Sequence, residues 1–417
     1  MADPALTPDV HPPIDADSHV VVAFSGGLDT SFVVLYLRRE YGCTVTTVTV
    51  DTGGFDADEI QAIAARSKEL GAVRHHLVDG RRAVYDEHLS WLIRGNILRG
   101  AVYPLCVGAE RVVQARDVAR LATEEGANLI VHGSTGAGND QVRFEVAIAA
   151  LCPDIPTWAP IRDMNVRRAQ SAAYLGEHGF PVDASTKDYS INAGLWGVTI
   201  GGKETHNPWS YPPEAAWPTT TNPAEAPAEG QEIVVGFADG LPVSLDGEAM
   251  EPLDLLEAVR AVAASHGVGR GIHLGDTILG IKGRIAFEAS AAAVIVPAHR
   301  ELEKLVLTRA QLFHKQHLAD LYGQMLHEAQ HFDPLMRDIE AFLTSASRRV
   351  RGEVRVFLRQ GEATVHGVRS PFSMLAPELA RYGEENALWN GRDAQGFSQI
   401  YGTQQLLAGL AGRRGES

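Results

Sequence analysis

The sequence predicts an α/β protein: a doubly wound parallel sheet that forms a nucleotide-binding domain, then an α+β domain and a C-terminal oligomerisation helix. Short apolar runs alternate with helical patterns from residue 19 to about 180, which is typical of β-α-β units. A glycine-rich turn joins the first apolar run to a helix. Hairpin signals replace this alternation in the second half of the chain.

The first half contains four predicted strands, separated by helical patterns. The strands cover residues 19–24, 45–50, 73–78 and 128–131. Helical patterns cover 32–40, 56–71 and 110–125. Asp56 to Glu59 predicts a capping box, and Gly71 predicts the end of that helix. Ligands of such sheets bind at the carboxyl ends of the strands, so the loops there are the first candidates for a site.

The second half is expected to be α+β. Residues 205–230 are rich in Pro, Thr and Ala and predict an irregular connection. Asp239-Gly240 and Gln360-Gly361 predict the turns of two hairpins. Helices are expected over 253–265, 308–331 and, with an apolar face, 398–410. The expected divisions are a disordered tail (1–18), the nucleotide-binding domain (19–180), the α+β domain (181–370) and a C-terminal arm (371–417).

Charge and composition exclude several classes of protein. The 417 residues carry a net charge of −15, and an acidic chain argues against a nucleic-acid substrate. No apolar stretch is long enough to span a bilayer, and the N-terminus lacks a signal pattern. Three widely spaced cysteines, Cys43, Cys106 and Cys152, fit a reducing cytoplasm and predict neither a disulfide framework nor a metal site.

The first glycine turn, Ser25 to Ser31, predicts an anion site. Two glycines let backbone N–H groups converge, and the following helix N-terminus adds positive potential. The Thr30 and Ser31 hydroxyls can donate to the same anion. Asp29 can either cap the helix or hold Mg²⁺. No Gly-Lys-Ser/Thr follows, so the turn is not a Walker loop.

A second glycine cluster, His132 to Asp140, directly follows the fourth predicted strand. It therefore lies at the same sheet edge as the first loop, and the two loops are expected to form two walls of one site. Thr135, Asn139, Asp140 and Arg143 stand at the start of the next helix. Such groups can hold a zwitterionic amino acid, since an arginine pairs with a carboxylate and a carboxylate with an ammonium group.

The Ser-Gly-Gly-Leu-Asp-Thr-Ser run resembles the pyrophosphate (PP) loop of the ATP pyrophosphatase superfamily. Together with Gly133 to Glu145 it resembles the argininosuccinate synthase family, and the likeness covers nearly the whole chain after the tail. Further matching segments are Tyr189–Gly197, His266–Arg270, Gly280–Arg284 and Ala298–Glu303.

The resemblance implies a cytoplasmic, homotetrameric ligase of arginine biosynthesis that joins citrulline to aspartate through a citrullyl-adenylate and uses ATP and Mg²⁺. By this resemblance residues 181–370 form a synthetase domain. The resemblance implies no resident metal ion, no nucleic-acid partner and no membrane partner. Asp29, Asn139 and Asp140 are the implied catalytic residues. The implied ATP site is Ala23, Phe24, Ser25, Gly26, Gly27, Leu28, Asp29, Thr30, Ser31, Val50 and Gly133. Thr135, Asn139 and Asp140 would bind aspartate. Asn139, Arg143, Ser190, Thr199, Asp276 and Phe287 would bind citrulline.

The chain also departs from the family pattern. After Gly100 the family carries Thr-Ser and then an arginine, whereas this chain has Ala101-Val102-Tyr103-Pro104-Leu105-Cys106. Gly275 and Phe287 stand where the family has Glu and Tyr, and Ala137 replaces a lysine. An N-acylated citrulline is therefore an alternative substrate. The competing interpretation is that Asp276, Arg270 or another loop replaces the lost contacts.

The sequence leaves three other functions possible. A tRNA-modifying PP-loop enzyme could use Cys106 and Cys152, although the acidic charge argues against it. A metabolite sensor without turnover would explain the altered loop after Gly100. His327-Glu328-Ala329-Gln330-His331 matches the zinc-peptidase pattern, but we expect a chance match on a solvated helix end.

Overall fold

The computed structural model describes residues 13–181, 189–383 and 386–415. The chain divides into two units, Met1–Pro371 and Phe372–Ser417. The predicted boundary at 180/181 comes just before the undescribed residues 182–188, and it stays a prediction.

Most of the predicted tail lies outside the described residues, because the description begins at residue 13. The end of the tail contacts the first unit. Ile14 packs against a hydrophobic cluster, and the Ser18 carbonyl accepts a hydrogen bond from the Thr44 amide.

Fourteen strands and fourteen α-helices are described. The strands are β1 (His19–Ala23), β2 (Thr44–Asp51), β3 (Arg74–Asp79), β4 (Leu129–His132), β5 (Thr157–Trp158), β6 (Ser190–Gly194), β7 (Gly197–Gly201), β8 (Gln231–Ala238), β9 (Leu241–Leu245), β10 (Glu248–Ala249), β11 (Arg270–Asp276), β12 (Lys282–Glu288), β13 (Gly352–Arg359) and β14 (Glu362–Arg369). The helices are α1 (Leu28–Tyr36), α2 (Ala57–Glu69), α3 (Arg81–Val84), α4 (Ser90–Gly95), α5 (Glu110–Glu124), α6 (Asp140–Leu151), α7 (Pro160–Asp163), α8 (Arg168–Glu177), α9 (Pro252–Ser265), α10 (Ser290–Val306), α11 (Arg309–His327), α12 (Pro334–Ser347), α13 (Gly391–Tyr401) and α14 (Thr403–Gly415).

The first sheet confirms the predicted doubly wound fold. Its strands are parallel and lie in the order β3-β2-β1-β4-β5. Side chains of a strand alternate between the two faces of the sheet, so Val21 joins one hydrophobic cluster while Val20 and Val22 join another. Both faces are therefore covered, which explains why β1 is apolar from Val20 to Ala23.

The second half contains two antiparallel sheets. In one, with the order β10-β9-β8-β13-β14, the predicted turns at Asp239-Gly240 and Gln360-Gly361 are confirmed, and all four turn residues have positive φ. The other has the order β11-β12-β7-β6 and was not among the predicted elements. It brings distant segments of the chain side by side, for example Thr199 opposite Phe287, 88 residues further on.

Helix boundaries show where local signals suffice and where they fail. The predicted capping box at Asp56 and Glu59 is confirmed. The helix expected over 308–331 is confirmed as α11, but it ends four residues early, at His327; Ala329 then has a φ of 65°, and Pro334 starts α12. The final helix is two, α13 and α14, separated at Gly402. No helix among the described residues is long and apolar enough to cross a membrane.

Candidate active site

Both glycine loops open into one cleft of about 1000 Å³. One wall is the carboxyl edge of the parallel sheet, with Phe24 after β1 and Val50 near the end of β2. The loop from His132 to Asp140, after β4, continues this wall. The facing side includes residues of the third sheet, such as Thr199 and His273. The cleft thus lies where ligands bind in doubly wound sheets.

The first loop carries unpaired backbone donors at the start of α1. Gly26 has a φ of 72°, which favours glycine, and Gly27 is the N-cap of α1. The first-turn amides of a helix have no intrahelical acceptor, so those of α1 are available to an anion. The Thr30 hydroxyl bonds within the loop, donating to the Gly27 carbonyl at 3.3 Å.

Asp29 lies in the first turn of α1 and lines the cleft, but it does not cap the helix. The cap position belongs to Gly27, which has no side chain, so the capping alternative is wrong. Burial raises the pKa of Asp29, and Arg168 partly opposes that shift. The Asp29 side chain lines the cleft, where it can act on a ligand.

The two glycine loops touch at Gly133. A Cβ atom on Gly133 would lie 2.9 Å from Thr30 Cγ2 and 3.3 Å from the Thr30 amide nitrogen. Only a residue without a side chain fits there without displacing the first loop. Gly133 therefore sets the spacing between the two loops.

Asp140 joins two arginines at the start of α6. Its Oδ2 accepts a hydrogen bond from Arg111 Nε and its Oδ1 accepts one from Arg143 Nη1, both at 2.9 Å. Burial opposes ionisation of Asp140, but the two guanidinium groups outweigh it and lower its pKa. The carboxylate is therefore ionised and held in one orientation.

Arg143 is largely committed to other protein groups. It also donates to the His327 carbonyl oxygen and to His327 Nδ1, at 3.1 to 3.3 Å. Since arginine can only donate, Nδ1 accepts and the neutral imidazole carries its proton on Nε2. Burial, followed by Arg143, lowers the pKa of His327 to about 3.

The segment from His327 to His331 was expected to be a chance match on a solvated helix end, but the structure shows that both of its histidines are buried. His331 lies beyond the end of α11, so the two do not share a helix face. His331 packs against His88, with ring centroids 4.7 Å apart. Among the described residues no group of three or more His, Cys, Asp or Glu side chains is placed to hold a metal ion.

Glu110, at the start of α5, links the β6–β7 turn of the third sheet to the carboxyl edge of the parallel sheet. Its Oε1 accepts from the Leu195 amide and its Oε2 from the Thr52 hydroxyl, both at 3.1 Å. Burial raises the pKa of Glu110 to about 8, although Arg111 lowers it in part. The loop after β2 also packs closely against β6, because a Cβ on Gly54 would lie 2.2 Å from the Ala193 carbonyl oxygen.

The far wall of the cleft is aromatic. The rings of Tyr103 and His273 stack with centroids 5.5 Å apart and planes at 17°. Phe287 packs behind Tyr103, at 5.3 Å, and lines a separate cavity of about 220 Å³ together with Val102. Arg99 reaches the cleft and donates to the Asp276 carbonyl oxygen at 2.7 Å.

The structure brings most of the predicted site residues together. The cleft is lined by Ala23, Phe24, Ser25, Asp29, Thr30, Val50, Gly133, Thr135, Asn139, Asp140, Arg143, Thr199 and Asp276. Predicted residues that do not line it are Gly26, Gly27, Leu28, Ser31, Ser190 and Phe287. Of these, Phe287 lies behind Tyr103, and Ser190 is exposed on β6. The Asn139 side chain accepts a hydrogen bond from the Ile278 amide at 2.9 Å, which joins α6 to the β11–β12 turn.

Sequence reasoning missed Arg111, Glu110, Arg99 and His273. One available signal was the chain direction of α5. This helix leads into a parallel strand, so its first turn must lie at the carboxyl edge of the sheet. That argument places Glu110 and Arg111 at the site. It also shows that the loop after Gly100 does not leave the cleft without an arginine, because Arg111 follows on the next helix.

The cysteines give no support to thiolation chemistry. Cys43, Cys106 and Cys152 are all free and buried. Burial raises the pKa of Cys106, with Glu110 adding to the shift, so its thiol stays protonated. A sulfur-transfer enzyme needs an accessible thiolate.

Comparisons with known proteins agree with the geometry. Residues 19–181 match the family description "Arginosuccinate synthase N-terminal HUP domain", and residues 189–408 match "Arginosuccinate synthase C-terminal domain". The chain is 40% identical over 392 residues to the argininosuccinate synthase of Xanthomonas campestris, covering 93% of this chain and 97% of the relative. It is 37% identical over 395 residues to that of Methanocaldococcus jannaschii, covering 94% and 98%.

Proposed function

The chain belongs to the argininosuccinate synthase family, and we propose that its cleft carries out the ATP-dependent ligation of citrulline to aspartate. The protein is an ATP-dependent, AMP-forming ligase. One observation supports this assignment of roles. The two glycine loops meet at Gly133, and Asp140, paired with Arg111 and Arg143, lies in the same cleft.

In the first step the citrulline ureido oxygen attacks the α-phosphorus of ATP, the bond to the bridging oxygen breaks, and pyrophosphate leaves. The first loop would hold the β- and γ-phosphates through the amides at the start of α1, aided by the hydroxyls of Ser25 and Thr30. Gly133 and Val50 would border the nucleotide. The chemistry needs alignment and charge neutralisation more than a nucleophilic side chain.

In the second step the aspartate amine attacks the ureido carbon of the citrullyl-adenylate. The nitrogen loses a proton, the carbon–oxygen bond to AMP breaks, and argininosuccinate forms. Asp140 is ionised, so it can attract the aspartate ammonium group, while Thr135 and Asn139 would orient its carboxylates. Arg111 and Arg143 keep Asp140 in place.

Mg²⁺ fits the oxygen donors around the first loop. The Asp29 carboxylate and the Ser25 and Thr30 hydroxyls line the cleft next to the proposed phosphate site. Mg²⁺ is usually held by one or two carboxylates together with substrate phosphates and water, which matches this sparse donor set. When bound, it would neutralise charge on the departing pyrophosphate.

The test is formation of AMP and pyrophosphate from ATP and Mg²⁺, with aspartate and citrulline present together and each omitted in turn. Pyrophosphate should require citrulline, and argininosuccinate should require both amino acids. If ATP binds but no AMP forms with both amino acids present, the ligase assignment fails and the sensor alternative replaces it.

The C-terminal unit suits assembly of the chain into a homotetramer. Helices α13 and α14 expose large apolar side chains, at 59–78% of their surface: Phe397, Ile400, Tyr401, Leu406 and Leu407. Such side chains are normally covered in an assembled protein. Light scattering should give four times the chain mass, and less after removal of residues 391–417. We also place the enzyme in the cytoplasm, in keeping with its three free thiols.

A further inference from the structure

We propose that the end of the cleft formed by Arg99, Tyr103 and His273 accepts a ureido acid whose α-nitrogen is uncharged, so that N-acylated citrulline is a substrate alongside citrulline. This inference rests on the proposed function and concerns the citrulline subsite alone. It follows from the shape and the charge of the far wall.

The His273 ring fills the space beside Gly275. A Cβ atom on Gly275 would lie 2.5 Å from His273 Nε2, and one on Gly100 would lie 3.0 Å from its Cε1. The ring is therefore held between two glycines and stacked on Tyr103. Any larger residue at position 275 would displace it.

This imidazole packs edge-on against Gly275. Its Nε2 is shielded from solvent and has no hydrogen-bond partner among the described residues. Burial, and then Arg99, lowers the pKa of His273, so the ring is neutral near pH 7. A neutral imidazole can donate to or accept from an amide, but it brings no charge to balance an ammonium group.

Carboxylates that could balance an ammonium group are engaged or lie elsewhere. Among the described residues the cleft is lined by four acidic side chains: Asp29, Glu59, Asp140 and Asp276. Asp29 belongs to the first loop, and Glu59 closes the capping box of α2. Asp140, which two arginines hold in place, is already assigned to the ammonium group of aspartate, and both oxygens of Asp276 contact Lys282 Nζ, at 2.7 and 2.8 Å.

Positive charge at this end comes from Arg99, which the Glu328 and Asp276 carboxylates partly balance. Arg99 donates to a backbone carbonyl at 2.7 Å, and its guanidinium has further N–H groups. A carboxylate of the substrate can pair with these groups. An ammonium group buried there without a partner carries a large desolvation cost, whereas an acylated nitrogen is uncharged and avoids that cost.

The experiment compares citrulline, N-acetylcitrulline and 5-ureidopentanoate, which lacks the α-nitrogen, in the full-length enzyme. Pyrophosphate release is measured with saturating ATP, Mg²⁺ and aspartate. We expect kcat/KM for N-acetylcitrulline to lie within about tenfold of the value for citrulline. A site built to bind the ammonium group would instead reject the blocked analogue by about 10⁴-fold.

The outcomes separate this inference from the proposed function. Turnover of citrulline, with a loss of a hundredfold or more for both analogues, overturns the inference and leaves the ligase assignment standing. A smaller loss for N-acetylcitrulline supports the inference. Absence of pyrophosphate with all three compounds overturns both.

Two substitutions at one position test the charge argument. Gly275→Ala displaces His273 without adding charge, whereas Gly275→Glu displaces it and adds a carboxylate. We expect the preference for citrulline over N-acetylcitrulline to rise at least tenfold in Gly275→Glu relative to Gly275→Ala. Equal preference in the two variants would mean that charge at this wall does not select the substrate.

Discussion

Replacing Glu110 with glutamine should change how the stability of the protein depends on pH. Glu110 is 1% exposed, and burial raises its pKa to about 8, from an ordinary value of 4.5. The unfolded chain therefore loses this proton at lower pH than the folded protein does. Between these two values each pH unit lowers the free energy of unfolding by about 1.4 kcal/mol, and the full loss is reached above pH 8.

Glutamine stays neutral at every pH, so Glu110→Gln removes this dependence. Relative to the parent, the variant should gain about 4 kcal/mol in free energy of unfolding between pH 5 and pH 8. A constant offset of about 1 kcal/mol is expected from rearranging the bond to the Thr52 hydroxyl, which donates to Oε2. The sign is definite: the variant gains as pH rises.

Urea unfolding at pH 5, 6, 7 and 8, followed by tryptophan fluorescence, measures this difference. Glu177→Gln, on an exposed position of α8, controls for the loss of one negative charge. A stability difference for Glu110→Gln that stays constant over this range, or that shrinks as pH rises, would refute the assignment of Glu110 as a buried carboxyl that resists ionisation.

Three further predictions concern catalysis. Asp140→Asn should lower kcat/KM for aspartate by about a hundredfold or more, because it leaves two arginines without their carboxylate. The control Asp79→Asn, at an exposed position, should leave kcat/KM unchanged, and equal kcat/KM values for the two variants would contradict the role of Asp140. Gly133→Ala should raise KM for ATP about tenfold, since its Cβ would press on Thr30 at 2.9 Å, while Gly176→Ala, with open space around its Cβ, serves as the control. Chelation with EDTA should stop AMP formation, and Mg²⁺ but not Zn²⁺ should restore it; full activity in EDTA would exclude a role for Mg²⁺.

Local signals in the sequence determined the nucleotide-binding half of the fold. Valine-rich runs, the glycine turn at Ser25 to Ser31 and the capping box at Asp56 are each contained in a few adjacent residues. Right-handed β-α-β connections then leave little choice of topology, so the parallel sheet and the common edge of the two glycine loops could be predicted. The motifs in the sequence likewise indicated the family.

Tertiary structure alone decided how the side chains of the cleft pair. Arg143 meets His327 across 184 residues, Asp140 meets Arg111 across 29, and His273 reaches the cleft through a sheet that the sequence did not reveal. Periodicity and turn chemistry describe neighbours along the chain, whereas these contacts depend on which distant elements pack together. For that reason the sequence identified the two glycine loops of the cleft, and only the structure showed that Arg143 is engaged by protein groups and that an imidazole occupies the space beside Gly275.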